Sequence, residues 1–249
     1  MTNQTVISGQ EPPSIDAVPQ AHQALYHAVS KQRWSVFQKR VLNFWQQHNS
    51  LVDRQTYAQR YYVPLLKAIV SQLPEDSNVL EIGSGPICTA QHMNFGETTY
   101  VDPLLDDFRR LFPGVMPEGA TYVTQMAEKV ELKPKIFDAV VCLNTLSDVL
   151  NPELVLNNVE KGLKPTGYFL VSTDIWPAWL ARAHLFLSRL APSLPRLNRL
   201  YSYTHKGFEN TLSRHFHILS EHRIQTPLTW LTLRQECFFV CEHLEAHKD

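Results

Sequence analysis

The feature that most constrains the fold of this chain is a hydrophobic run that leads directly into two closely spaced glycines, VLEIGSGP at residues 79–86. A strand followed by Gly83-Ser84-Gly85 permits positive φ angles and lets the backbone approach a ligand at the carboxyl end of the strand. The next acidic residue at a strand end is Asp102, 17 residues after Gly85. A carboxylate there can accept both hydroxyl groups of a ribose. The spacing therefore predicts a bound cofactor that contains a nucleoside.

Short apolar runs alternate with helix-forming stretches in the middle of the chain. The runs are rich in β-branched residues and lie at 78–83, 98–102, 120–125, 137–144 and 167–173. Stretches 104–112 and 151–163, which lie between them, can form helices. Strands that alternate with helices predict an α/β fold, with a parallel sheet covered on both faces.

The two ends of the chain depart from this alternation. Residues 1–18 show little periodicity, so we expect a flexible tail there. Apolar residues recur at helical spacing between residues 19 and 73, which predicts an N-terminal helical extension with a kink or restart at Pro64. At the other end, stretches 216–225 and 234–244 predict an antiparallel hairpin with a turn near Pro227. The α/β domain is accordingly expected over residues 74–249.

Composition excludes several classes of protein. The 249 residues include 23 basic and 24 acidic side chains, 44% are hydrophobic and 19% are charged, so a mostly disordered chain is excluded. The formal net charge of −1 argues against a dedicated nucleic-acid binder. No apolar run approaches the roughly 18–20 residues that a membrane span needs, and the N-terminus lacks the pattern of a secretory signal. We therefore expect a cytoplasmic protein, and the sequence does not indicate its oligomeric state.

The four cysteines carry no metal-site signal. Cys88, Cys142, Cys237 and Cys241 form no CxxC pair and have no histidine at zinc-finger spacing, so no metal site is expected. Cys237 and Cys241 would lie on one face of a strand, about 13 Å apart and too far to bridge. All four are predicted to be small core residues.

Two kinds of nucleoside cofactor compete for the glycine loop. A dinucleotide fold prefers GxGxxG, whose third glycine is replaced here by Cys88, and it leaves Glu81 unexplained. The sequence instead resembles class I S-adenosylmethionine-dependent methyltransferases, in particular the small-molecule group called methyltransferase type 11. Their first motif is matched by residues 80–85 and their acid after the second strand by Asp102. The family also has Phe-Asp at the start of a strand, then a helix, and then a Leu-Lys-Pro turn. Residues 137–173 match all three features.

The resemblance implies a Rossmann-like class I methyltransferase fold. Such a fold has a seven-stranded, mostly parallel sheet with a C-terminal antiparallel hairpin, here joined by a helical N-terminal extension and a helical lid. The implied cofactor is S-adenosylmethionine, with S-adenosylhomocysteine as its product.

The resemblance also implies a set of cofactor-binding residues around the strand ends. They are Tyr57, Tyr61, Glu81, Gly83, Ser84, Gly85, Asp102, Pro103, Met126, Ala127, Asn144 and Thr145. The glycine loop would pass under the homocysteine part, with Glu81 ordering the loop, and Asp102 would hold the ribose. Pro103 and the Met-Ala pair would lie beside the adenine, and the Asn-Thr pair would close the methionyl side. The two tyrosines either close over the cofactor or pack in the core at helical spacing.

The reaction implied is an in-line displacement at an activated methyl group, so the protein contributes alignment and, for some acceptors, a base. Asp148 is the first candidate base, although it could instead cap the helix that begins near Asn151. His205 is the second candidate because it follows the aromatic residues Tyr201 and Tyr203.

A segment at about 174–216 is longer than a simple crossover needs and would form the lid. Between residues 176 and 203 it contains four arginines and no acidic residue; they are Arg182, Arg189, Arg196 and Arg199. They either form a solvated stripe, or recognise an anionic acceptor, or hold the lid weakly against an anionic membrane surface.

The sequence thus favours methyl transfer to a small molecule, with O-methylation preferred over N- or C-methylation and an acceptor that has apolar and acidic parts. One rival is a non-catalytic cofactor-binding protein of the same fold, suggested by Ile87 where the family has a small residue. A second is a nicotinamide-dependent oxidoreductase, disfavoured by Cys88 and by the terminal hairpin. A protein methyltransferase would need an acidic groove for basic peptides, which the sequence does not indicate.

Overall fold

The computed structural model describes residues 29–47, 50–93, 97–190, 199–225 and 233–247. Its strands are β1 (Asn78–Ile82), β2 (Glu97–Val101), β3 (Thr121–Val123), β4 (Phe137–Leu143), β5 (Leu163–Ile175), β6 (Phe216–Ile224) and β7 (Gln235–His243). They form one seven-stranded sheet in the order β3-β2-β1-β4-β5-β7-β6. β1 to β5 pair in parallel, whereas β7 is antiparallel to both of its neighbours. The predicted α/β fold and its C-terminal hairpin are confirmed.

The order in which strands join the sheet reverses beside β1. β2 and β3 extend the sheet on one side of β1, and β4 and β5 extend it on the other. In α/β sheets, ligands bind in the crevice outside the carboxyl ends of the strands at such a reversal. The loops that follow β1 and β4 flank that crevice here.

Helices cover both faces of the sheet. They are α1 (Lys31–Trp45), α2 (Ser50–Tyr57), α3 (Val63–Val70), α4 (Leu105–Leu111), α5 (Pro152–Gly162), α6 (Ala178–Leu190) and α7 (His205–Leu212). α3 contributes Leu66 to the core on one face, and α5 contributes Val155 to the core on the other. Consequently the central strands are buried on both sides, and the four cysteines are free and buried, as predicted.

The described part of the N-terminal extension is helical. A π-helical turn, Ala58–Tyr62, joins α2 to α3. Pro64 lies in the first turn of α3, where its missing N–H breaks no intrahelical hydrogen bond, so the restart expected there is present. The tail expected over residues 1–18 lies outside the described residues.

β5 is longer than the predicted run of 167–173. It continues to Ile175 because residues 168–175 pair with β7 along their whole length. α6 follows as the first element of the predicted lid, and Arg182 on it is exposed. Arg196 and the turn near Pro227 fall outside the described residues, as does the side chain of Arg189. Within the described part of the chain, no helix is both long and apolar enough to cross a bilayer.

Candidate active site

A cavity of about 410 Å³ lies at the carboxyl ends of β1 and β4. The loops after these strands form one wall, and α1 and α2 form the opposite wall with aromatic residues such as Phe44 and Trp45. The volume is within the range of sites for small molecules. Ile87, the residue that suggested a non-catalytic rival, is buried in the wall of this cavity.

Most of the site residues predicted from the sequence line this cavity. They are Tyr57, Glu81, Gly83, Ser84, Gly85, Asp102, Pro103, Met126, Ala127, Asn144, Thr145 and Asp148. Two predicted residues, Tyr61 and His205, do not line it.

The glycine loop takes the backbone conformation that its sequence suggested. Gly83 and Gly85 have φ values of +69° and +54°, which side chains disfavour. A Cβ at Gly83 would overlap the side chain of Thr145, and a Cβ at Gly85 would lie 3.4 Å from Trp45 Cζ2. The end of β4 therefore leaves no room for a side chain at Gly83, whereas an added Cβ at Gly85 would be in ordinary van der Waals contact with α1.

Asp102 joins the end of β2 to the glycine loop. Its Oδ2 atom accepts a hydrogen bond from the Gly85 amide at 3.1 Å, and its Oδ1 atom accepts one from the Leu104 amide at 2.8 Å. Burial raises the pKa of Asp102 to about 6, and the two donated hydrogen bonds oppose this increase. Each carboxylate oxygen has a second lone-pair site, so the group can still accept from ligand hydroxyls.

Glu81 orders the segment that follows the glycine loop. Its two carboxylate oxygens accept hydrogen bonds from the amides of Thr89 and Ala90, at 3.1 and 2.8 Å. Burial raises the pKa of Glu81 to about 8. Glu81 therefore holds the start of the 3₁₀ turn Thr89–Met93, a few residues beyond the glycine loop that it was predicted to order.

A buried carboxylate that sequence reasoning missed lies behind the cavity wall. Glu236 Oε2 accepts from the Tyr57 hydroxyl at 2.5 Å. Its Oε1 accepts from the Tyr62 hydroxyl, from Ser172 Oγ at 2.7 Å and from Asn144 Nδ2 at 2.8 Å. Burial raises the pKa of Glu236, and the donated hydrogen bonds oppose the increase. An acidic residue directly before the apolar run 237–241 was the available sequence signal.

The π-helical turn explains why Tyr62, rather than Tyr61, accompanies Tyr57. At α-helical spacing, residues four apart share a face, which is the basis of the predicted Tyr57–Tyr61 pair. A π-helical turn pairs residues five apart, and both Tyr57 and Tyr62 bind Glu236. Tyr61 is half-buried and does not line the cavity, and its place beside the cofactor stays a prediction.

Arg199 bridges the ends of β4 and β5. It forms an ion pair with Asp148, the predicted base, and another with Asp174 at 3.3 Å. Its guanidinium also donates to the Asn144 carbonyl at 3.1 Å. Burial raises the pKa of Asp148 to about 6, although the arginine beside it opposes this increase. Sequence reasoning placed Arg199 in the lid stripe and missed these contacts.

His205 is engaged elsewhere. It begins α7, and its two ring nitrogens lie 3.2 Å from Glu209 and 2.7 Å from Glu221. His205 pairs with these carboxylates and does not line the cavity, and its catalytic role stays a prediction.

Comparison with known proteins agrees with this arrangement. A family profile described as "Methyltransferase domain" matches residues 54–226, which is more than half of the chain. The fold is similar to a SAM-dependent methyltransferase from Methanosarcina mazei, with 18% identity, 72% of this chain and 98% of that chain covered, and a TM-score of 0.54. It is also similar to the PH0226 protein from Pyrococcus horikoshii OT3, with 17% identity, coverage of 81% and 98%, and a TM-score of 0.58.

A third similar structure is geranyl diphosphate C-methyltransferase from Streptomyces coelicolor A3(2), in complex with Mg²⁺, geranyl diphosphate and S-adenosyl-L-homocysteine. It is 9% identical, covers 79% of this chain and 83% of that chain, and gives a TM-score of 0.60. Comparison with curated protein sequences finds no significant match.

The fold and its cavity are those of a Rossmann-like transferase. More specifically, the chain belongs to the methyltransferase domain family, and it is an S-adenosylmethionine-dependent methyltransferase. The residues present fit that cofactor, because Gly83, Ser84 and Gly85 line the cavity without large side chains and a carboxylate stands at the end of β2.

Proposed function

We propose that this enzyme methylates an oxygen atom of a small molecule that is partly apolar and carries a negative charge. The observation that supports this most directly is the wall opposite the glycine loop. It combines aromatic side chains with an arginine and with a tyrosine that is hydrogen-bonded to a buried carboxylate. Each of these groups corresponds to one property of the acceptor.

The donor would occupy the side of the cavity formed by the strand ends. The glycine loop and Asn144-Thr145 would hold the methionyl part, and Asp102 would accept from the ribose hydroxyls. Pro103 and the Met126-Ala127 pair would lie beside the adenine, since all of them line that part of the cavity. When bound, S-adenosylmethionine supplies a methyl group on a positively charged sulfur that leaves as a neutral thioether.

The acceptor would lie against α1 and α2. Trp34, Phe37 and Phe44 offer an apolar surface, and the Arg54 guanidinium lies 5.2 Å from the centre of the Phe44 ring. No carboxylate among the described residues forms an ion pair with Arg54, so its charge is available to an anionic acceptor. Arg234, another cavity residue, already lies 3.4 Å from Asp174.

We therefore assign the binding of an anionic acceptor to Arg54 on α2 and not to the arginines of the lid. Arg182 is exposed and lies outside the cavity, and Arg199 is engaged with Asp148 and Asp174. Among the arginines of the described residues, Arg54 best combines a position on the cavity wall with a free charge. An aromatic carboxylic acid with a hydroxyl group has the matching chemistry.

An acceptor hydroxyl must lose its proton as its oxygen takes the methyl group. We assign this step to Tyr57 together with Glu236. Burial and the negative charge of Glu236 raise the pKa of Tyr57 above its ordinary value, so the phenol is protonated at neutral pH. Its oxygen can take the proton of the acceptor while its own proton passes to Glu236 Oε2, 2.5 Å away. Asp148, paired with Arg199, is the alternative base.

The proposal is tested with methyl-labelled S-adenosylmethionine and three named probes: 4-hydroxybenzoate, 4-ethylphenol and a lysine-rich peptide. We expect label in the methyl ether of 4-hydroxybenzoate, less in the neutral phenol and none in the peptide. Label in the peptide alone would contradict a small-molecule acceptor. Thermal unfolding with S-adenosylhomocysteine or NADH in separate samples checks the donor site, because a ligand at 100 times its Kd stabilises the fold by about 2.7 kcal/mol.

A further inference from the structure

We propose that Arg199 is a positioning residue for the methyl donor, and that it acts by fixing Asn144 at the carboxyl end of β4. The inference rests on the donor site proposed above. It assigns a role to an ion-pair cluster, Arg199 with Asp148 and Asp174, that neither the glycine loop nor the base requires.

The donors of the Arg199 guanidinium are almost fully used within the protein. Nη1 donates to the Asn144 carbonyl at 3.1 Å and to Asp148 Oδ2. Nη2 donates to Asn144 Oδ1 and to Asp174 Oδ2, each at 3.3 Å. Four of the five N–H donors of the guanidinium are thereby occupied. The group is directed at the strand end and not at a ligand.

Asn144 needs to be held because its backbone is unusual. Its φ is +52°, a left-handed conformation that few residues other than glycine adopt and that asparagine tolerates best. Its amide donates to the Ser172 carbonyl at 3.0 Å, and its Nδ2 donates to Glu236 at 2.8 Å and to Tyr62 at 3.0 Å. Arg199 takes the two remaining acceptors, the backbone carbonyl and Oδ1. Every polar atom of Asn144 is therefore bound.

The position of Asn144 determines the position of the next residue. The Thr145 side chain fills the space over Gly83, and its hydroxyl lies 3.4 Å from the Gly83 carbonyl. A shift at Asn144 would move Thr145 against the glycine loop, where the methionyl part of the donor is proposed to bind. Contacts thus run from Arg199 through Asn144 and Thr145 to Gly83.

Charge compensation adds to this role. Asp148 and Asp174 lie on either side of the Arg199 guanidinium, and each raises its pKa against the effect of burial, so the cation persists. Without it, two partly buried carboxylates would face each other beside the cavity and repel. Lysine restores the charge but cannot present the planar fork that reaches Asn144 and both carboxylates together.

The test measures the Kd of S-adenosylhomocysteine by isothermal titration calorimetry for the wild-type protein, R199M, R199K and R182M. Arg182 is the matched control because it is exposed, lies on α6 and is outside the cavity. We expect R199M to raise the Kd at least tenfold and R199K by roughly threefold to tenfold, with R182M within about twofold of wild type. Thermal unfolding without ligand checks that each variant is folded.

A double-mutant cycle separates positioning from direct contact. If Arg199 acts through Asn144, the loss of affinity in N144A/R199M is smaller than the product of the two single losses, because N144A already removes the Oδ1 contact and leaves only the carbonyl contact. If the fold-changes in Kd of N144A and R199M simply multiply in the double variant, the inference is overturned. A Kd for R199M equal to that for R182M would also overturn it. The same cycle with R199K decides the matter should R199M not fold. If the wild-type protein does not bind S-adenosylhomocysteine, both the proposed donor site and this inference are overturned. If all variants bind it equally well, only this inference is overturned.

Discussion

The side chain of Thr145 occupies the space that any side chain at Gly83 would need. A Cβ added at Gly83 would lie 2.7 Å from the Thr145 Cβ, well inside normal van der Waals contact. The end of β4 thus closes directly onto the loop after β1, although 62 residues separate the two positions. This contact forms the floor of the donor side of the cavity.

Replacing Gly83 with alanine should therefore cost stability and abolish donor binding. The added methyl group meets Thr145 and adopts a φ of +69°, so we expect a loss of about 2–4 kcal/mol in the free energy of unfolding. The control is G114A, because Gly114 has a φ of +75° and no atom within 4 Å of its added Cβ.

Urea unfolding and calorimetry with S-adenosylhomocysteine distinguish the two glycine variants. G114A should lose only about 1 kcal/mol through backbone strain and should bind normally. The double variant G83A/T145A should recover part of the stability that G83A loses. Equal destabilisation by G83A and G114A would show that the contact with Thr145 carries no energy.

Donor affinity should depend on the protonation of Asp102. The carboxylate form accepts hydrogen bonds, and its pKa of about 6 means that acidification from pH 7.5 to pH 5 protonates it. The Kd of S-adenosylhomocysteine should therefore rise as the pH falls through 6. D102N should bind at least tenfold more weakly than wild type at pH 7.5 and should lack this pH dependence. A wild-type Kd that is constant over this range would contradict the assignment.

The stability of the ligand-free protein should change with pH in the opposite direction. The pKa of Asp102 is higher in the folded chain than the value of about 4 in an unfolded one, so folding favours its protonated form. Its contribution to the free energy of unfolding is full below pH 4 and is lost as the pH rises through 6. Urea unfolding of wild type and D102N across this window isolates that contribution.

The Tyr57 hydroxyl should matter for the chemical step and not for donor binding. Y57F keeps the ring but cannot pass a proton to Glu236, so the kcat for 4-hydroxybenzoate should fall by roughly 10²-fold. The Kd of S-adenosylhomocysteine should stay within about twofold. Y61F is the control, since the Tyr61 ring contacts the Tyr57 ring at a tilt, with centres 4.7 Å apart, but Tyr61 lies outside the cavity. If D148N at saturating donor lost transfer and Y57F did not, Asp148 would be the base.

Arg54 should determine the preference for anionic acceptors. R54M should raise the KM for 4-hydroxybenzoate about tenfold and leave the KM for 4-ethylphenol unchanged, because only the former carries a carboxylate. R60M is a matched control: Arg60 is also exposed, lies over an aromatic ring at 5.4 Å and is outside the cavity. If R54M raised the KM equally for both phenols, the effect of the substitution would come from lost packing and not from lost recognition of the carboxylate.

The donor side of the cavity was accessible from sequence because its parts are local. The glycine loop and the acid after the second strand each follow a strand at a fixed spacing, and the β–α alternation brings their ends together. For that reason Gly83, Gly85 and Asp102, which the sequence predicts to bind the cofactor, lie together on the cavity wall. The predicted β5 ended too early, since its extension depends on pairing with a strand 60 residues later.

The acceptor side depended on tertiary structure. A single π-helical turn makes Tyr62, and not Tyr61, the second tyrosine that binds Glu236, a change of register that residue spacing does not reveal. Glu236 became a site residue only because β7 inserts between β5 and β6.

The sequence by itself determined the fold class, the methyltransferase family and the donor loop of this protein, because those features depend on short local patterns: strand and helix periodicity and the glycine motif. Tertiary structure decided which arginine and which carboxylates meet at the cavity. Arg199 reaches Asp148 and Asp174 across 51 and 25 residues of chain, and Tyr57 reaches Glu236 across 179. Contacts over such separations are set by the packing of whole elements, and local spacing carries no record of them.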